Sequence, residues 1–217
     1  MGTGRRNFTL GLGAMLAGCS TAANSPRAEG QPVDYRIGLV DEDRPAPGTG
    51  KDVWAKGYSQ AELDEAQEKF DLVFPPDLVA LLRERRPAQG YDWRTDETQI
   101  RDMLRWPLEG LLFDVENNAL WQSGWGDRPR TPEARAEALT AIVNAAPKLI
   151  PLVSHRYLPA EPHEAGNPVL SVHQSDVIYY GADLADYFER EFGHPTRPLP
   201  RHIKRIPFWS DLVELNG

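Results

Sequence analysis

The chain has 217 residues and a single cysteine, Cys19. No disulfide can form within it, and a cysteine-ligated zinc site is excluded. Long apolar runs are scarce. The stretch from Phe8 to Ala17 is too short to cross ~30 Å of hydrocarbon, which takes about 20 residues. It is also interrupted by Gly11 and Gly13, which weaken a helix. Basic charge is in deficit, with 24 Lys+Arg against 32 Asp+Glu and a net charge of −8. That balance argues against nucleic acid, whose phosphates call for Lys and Arg. It argues equally against electrostatic adhesion to anionic lipid. It leaves room for a basic protein partner, or serves solubility alone.

The first nineteen residues carry the strongest pattern. Arg5-Arg6-Asn7-Phe8 precedes the weakly apolar run, with no acidic residue before Glu29. A paired arginine ahead of such a run reads as a twin-arginine export signal. Leu16-Ala17-Gly18-Cys19 ends the run with small residues before the cysteine and resembles the lipobox of bacterial lipoproteins. Residues 1–18 are thus expected to be a signal peptide and Cys19 the lipid attachment site. By that pattern Ser20 implies outer-membrane delivery if the cell is Gram-negative. Loss of Arg5 and Arg6 would leave 22 basic residues against 32 acidic ones, a net charge of about −10. With Cys19 acylated, no thiol remains for catalysis.

Residues 19–52 read as a flexible tether, because Pro26, Pro32, Pro45, Pro47, Gly30, Gly48 and Gly50 resist packing. A short strand over Tyr35 to Val40 is the one element expected there. The folded domain is expected over residues 53–193. Ser59 and Glu62 form a capping box, followed by the helical stripe Leu63, Ala66, Phe70. Pro75-Pro76 opens a second helix that buries Leu78, Leu81 and Leu82. Asp96 starts a short third helix, through Ile100, Met103 and Leu104, that stops before Pro107. Leu111 to Val115 reads as a strand, Asn117-Asn118 as a turn and Ala119 to Gln122 as the returning strand.

Thr131-Pro132 starts a helix with Ala138, Leu139, Ile142 and Val143 inward. Leu149 to Ser154 is a strand that Pro151 assigns to an edge or a bulge. Val169 to His173 and Val177 to Gly181 are spaced as a hairpin. Asp183 caps a helix carrying Leu184, Phe188 and Phe192, closed by Gly193. Residues 194–217 form a C-terminal extension with a short helix from Pro207. Helices followed by hairpin-spaced strands give an α+β class: a mainly antiparallel mixed sheet flanked by helices in a single domain.

No familiar catalytic motif is complete. Gly57-Tyr58-Ser59-Gln60-Ala61 lacks the second glycine and the strand of a nucleophile elbow. Gly11-Leu12-Gly13 lacks the third glycine of a dinucleotide fingerprint. His163-Glu164 has Asn167 where a zinc-protease helix needs its second histidine. One looser cluster survives: His155, His163, His173, Asp176 and Glu161 could converge if the strands at 149–154 and 169–173 are neighbours. The alternative is ordinary turn and sheet-face chemistry. Trp121 and Trp125 bracket Gln122-Ser123-Gly124, with Asp127-Arg128-Pro129 following. They read either as an exposed recognition knob, since Trp and Arg are favoured anchors, or as plugs in the core.

Several stretches together resemble the SUKH superfamily, named for Syd and the yeast cell-wall-assembly regulators. They are Phe74-Pro75-Pro76-Asp77-Leu78-Val79-Ala80-Leu81-Leu82, Leu120-Trp121, Gly124-Trp125-Gly126, Arg128-Pro129 and Pro147-Lys148-Leu149-Ile150-Pro151-Leu152. His155-Arg156-Tyr157-Leu158-Pro159, the run from Gly166 to Gln174 and Asp176-Val177-Ile178-Tyr179-Tyr180-Gly181 extend it. The likeness covers about residues 57–193. It implies an α+β fold, a mixed sheet flanked by helices, no general catalytic residues and no cofactor. Many bacterial members resemble immunity proteins that bind and neutralise secreted toxins.

The leading expectation is therefore a non-enzymatic, lipid-anchored protein of the cell envelope, exported to the periplasmic face or outer membrane. Its partner would be a protein, such as a toxin, met there, and the binding surface is placed around Trp125, Arg156, Tyr157 and His173. The rival expectation is an envelope hydrolase, metal-dependent or not, that uses His155, His163 and His173. A third is a structural lipoprotein without a dedicated ligand.

Overall fold

A computed structural model of the chain describes residues 53–193 and 198–216. Arg5, Arg6, Cys19 and the strand expected at Tyr35 to Val40 lie outside the described residues.

Strand β1 (Trp54–Lys56) leads into α1 (Gln60–Phe70) and α2 (Pro76–Glu84), and β2 (Arg85–Pro87) returns antiparallel to β1. Ser59 starts α1 as its sequence requires. Its hydroxyl accepts from Glu62 N–H and the Glu62 carboxylate accepts from Ser59 N–H at 2.7 Å, so both orphan donors are satisfied locally. Helix α3 (Glu97–Asn117) is followed by a 3₁₀ turn at Ser123–Trp125 and by α4 (Pro132–Ala145), which Thr131 caps. Strands β3 (Leu149–Val153), β4 (Arg156–Pro159), β5 (Val169–His173) and β6 (Asp176–Gly181) form one sheet in sequence order, with every pairing antiparallel. Helices α5 (Leu184–Phe192), capped by Asp183, and α6 (Trp209–Asn216) complete the α+β single domain.

The sheet is covered on both faces. Alternating side chains point to opposite sides of a strand, and neighbours along β3 and β4 join different cores. Ile150 and Leu158 pack with Leu63, Phe70, Leu78, Leu82 and Tyr187 from α1, α2 and α5. Leu149 and Tyr157 pack with Leu111, Val115, Leu139, Trp209 and Leu212 from α3, α4 and α6. All five residues of β3 are buried, the continuous apolar pattern of a strand enclosed on both faces. Pro151 sits on the edge strand beside a register shift between Pro151 and Val153, where its missing N–H costs no ladder bond.

The middle of the chain departs from expectation. Helix α3 does not stop before Pro107 but runs ten residues beyond it, and Leu111 to Val115 is helical, not a strand. Proline deprives the carbonyl four residues earlier of its donor; the Tyr157 hydroxyl supplies a replacement at Met103 O, 2.9 Å away. Ala119 to Gln122 is irregular rather than a returning strand. Asp96 does not cap α3 with its side chain; its carboxylate instead accepts from Asp92 N–H at 2.8 Å.

Helix α3 also holds the β5–β6 hairpin. The buried Asp114 carboxylate accepts from Ser175 N–H at 2.8 Å and from the Ser175 hydroxyl at 2.5 Å. One turn earlier, a Cβ on Gly110 would lie 2.8 Å from Gln174 Cα, so the helix meets the turn backbone-on-backbone.

Candidate recognition surface

The expected site residues do not form one patch. Tyr157 is 0% exposed, in the core beneath α3, so it offers nothing to a partner. Burial pushes its hydroxyl well above the ordinary phenol range and keeps it a neutral donor. Trp125 packs against the α3–α4–α6 core. Arg156 lies on the other sheet face: its guanidinium sits 3.9 Å above the Tyr180 ring, and Nε is 3.8 Å from the Glu191 carboxylate of α5. The His173 ring meets Trp106 edge-on at 6.5 Å.

The histidines are dispersed in their bonding. His163 Nε2 donates to Phe74 O at 3.1 Å, and His155 Nδ1 is 3.1 Å from the Ser154 hydroxyl. Asp176 and Glu161 are exposed. Among the described residues no three of His, Cys, Asp and Glu are grouped to hold a metal ion. The condition for their convergence is not met either: the 149–154 and 169–173 strands are not neighbours, because β4 lies between them.

Two arrangements remain that can meet a partner. The first is the loop around the 3₁₀ turn. Trp121 and Trp125 stand edge to face, 5.6 Å apart at 87°, and Trp125 stacks on Phe208 at 6.0 Å and 20°. The indole N–H of Trp121 donates to Gly126 O at 2.9 Å, and Arg128 donates to Val115 O at 2.6 Å. Arg135 bonds the carbonyls of Pro129 and Arg130 and pairs with Glu116. Phe208 has φ +68°, a strained setting for a bulky residue, which the stack on Trp125 and an edge contact with Trp209 accompany. Both tryptophans are half-buried, while Ser123, Gly124, Gly126, Asp127 and Arg128 are exposed. The loop is therefore both plug and knob: its indoles seal the core edge and leave a fixed aromatic surface outside.

The second is a row across three strands. Arg156 pairs with Ser171, and Ser171 with Ile178; Arg156 donates to the Ser171 hydroxyl at 3.0 Å. Directly opposed residues share a face, so Ile178, 46% exposed, stands beside the Arg156–Tyr180 stack. Ile178 and Tyr180 escaped the sequence reading. Val177 to Tyr180 is apolar on both faces, and strand parity alone does not say which face α5 leaves partly open.

No protein-family model, curated protein or solved structure matches the chain.

Proposed function

We propose that this chain is a lipid-anchored protein of the cell envelope whose SUKH-like α+β domain binds another protein without catalysing a reaction. A secreted toxin, or a protein of wall maintenance, is the class of partner that fits. The observation that carries this reading is the braced aromatic loop of Trp121 and Trp125, half-exposed and fixed by hydrogen bonds to Gly126 O and Val115 O. Rigid aromatic anchors beside exposed arginine supply binding energy at low ordering cost. The paired Arg5 and Arg6 and the Leu-Ala-Gly-Cys19 end of the leader support export and acylation.

The test places a photo-crosslinking residue at exposed Ser123 in the full chain, expressed in its own cell, with a second at exposed Glu68 on α1 as control. One adduct of fixed mass from position 123, lost in Trp125→Ala and not formed from position 68, is the expected result. No discrete adduct, or the same adducts from both positions, overturns the binding reading. Cys19→Ser should move the protein out of the membrane fraction; continued membrane residence overturns the anchor.

A further inference from the structure

A second site lies far along the chain from the Trp121–Trp125 loop. Trp54 of β1, Leu81 of α2 and Phe188 of α5 line an open cleft of about 460 Å³, with Asp77, Asp183 and Arg85 at its rim. The volume falls in the range of small-ligand sites, which combine apolar walls with a few convergent polar groups. Trp54 and Phe188 rings are 5.0 Å apart at 56°, and both side chains remain half-exposed.

The charges at the rim select the sign of an occupant. The Arg85 guanidinium is already seated on Trp54, 4.3 Å from the ring centroid. Asp77 is fixed by Leu78 N–H at 3.0 Å and Gly166 N–H at 2.9 Å. Asp183 is different. One oxygen caps α5 by accepting from Asp186 N–H at 2.8 Å, and the other has no hydrogen bond among the described residues. Beyond the cleft, Lys204 is held by Glu164 at 2.9 Å and by Ala165 O, so its charge is matched. Two carboxylates against the one Arg85 guanidinium leave the cleft a single negative charge in excess, on a chain of net charge −8.

We infer that this cleft receives a lysine side chain next to an apolar residue, presented by a segment of a protein partner. The ammonium would meet the open Asp183 oxygen, and the apolar neighbour would lie against the wall that Trp54 and Phe188 form together. Opposed charge gives the selection and ring burial the affinity. This site rests on its own geometry, so its failure would leave the aromatic-loop reading standing.

The probe is the dipeptide acetyl-Phe-Lys-amide, titrated into the full chain in detergent while the indole N–H resonances are followed by NMR. Trp54→Phe assigns the relevant peak. Acetyl-Phe-norleucine-amide and acetyl-Phe-Glu-amide are the neutral and acidic comparisons. The lysine dipeptide should shift the Trp54 resonance saturably, the norleucine form should bind roughly tenfold more weakly, and the glutamate form should not bind. Asp183→Ser preserves the helix cap, because serine caps as well as aspartate, yet removes the charge; it should weaken the lysine dipeptide about tenfold. Equal affinity for the three dipeptides, an unmoved Trp54 resonance, or full affinity in Asp183→Ser overturns the inference.

Discussion

The Tyr157 hydroxyl donates to the Met103 carbonyl at 2.9 Å, and this bond exists because Pro107 sits four residues further along α3. A residue with an N–H at position 107 would satisfy that carbonyl within the helix. Proline cannot, and a buried carbonyl without a partner costs about 1–3 kcal/mol. The tyrosine thus lets one helix continue through a residue that ordinarily ends it.

Tyr157→Phe should consequently destabilise the domain by about 1–3 kcal/mol in urea unfolding. In a Pro107→Ala background the same change should cost less than about 1 kcal/mol, because the backbone N–H regained at that position then serves Met103 O. Equal costs in the two backgrounds would show that the phenol acts through packing alone.

Gly110→Ala would normally stabilise a helix by ~0.5–1 kcal/mol. Here the new Cβ would lie 2.8 Å from Gln174 Cα and 3.1 Å from Gln174 N, and backbone cannot swing aside as a side-chain tip can. Net destabilisation is expected, together with altered amide shifts at Gln174 and Ser175. A Tm at or above that of the parent would mean that α3 and the hairpin separate freely.

These two relationships mark where the sequence stopped being readable. Caps need only residues a few positions apart, and Ser59, Thr131 and Asp183 each cap the helix expected of them. The β5–β6 hairpin was legible for the same reason, as was the edge position of Pro151. The continuation of α3 depends on Tyr157, 54 residues away, which no local pattern contains. Leu111 to Val115 is a five-residue apolar run, equally a strand or a helix by pattern; contact with Gln174 and Ser175 accompanies the helical choice. At the recognition surface the Trp121–Trp125 pair could be singled out from composition. Tyr157 could not be rejected, because burial of one sheet face by α3 is a tertiary fact.

Trp121→Phe keeps an aromatic ring in place and removes the donor to Gly126 O. The expected loss is about 0.5–1.5 kcal/mol of local stability, read as faster hydrogen exchange and lower order parameters at Gly124 and Gly126, with global unfolding little changed. If those amides stay as ordered as in the parent, the brace on the loop comes from Arg128 and Arg135 instead.

The last prediction concerns acid. Arg94 clamps Asp92 through Nε at 2.9 Å and Nη2 at 2.7 Å, and Arg86 adds a contact at 3.0 Å. The Arg94 hydrogen bonds, above all, pull the Asp92 carboxyl down to about 2, against about 3.9 in an unfolded chain. A carboxyl more acidic in the folded state favours folding wherever the unfolded chain would also be ionised. That contribution is complete above about pH 4 and disappears as pH falls towards about 2. Asp92→Asn removes it, so the stability gap between parent and variant should be constant near neutrality and narrow between about pH 4 and pH 2. Other carboxylates lowered by ion pairs, such as Glu62 and Glu116, titrate in both proteins, so their shared part cancels in the difference. A gap that stays flat down to about pH 2 would show that the clamp positions the loop between β2 and α3 without contributing charge-dependent stability.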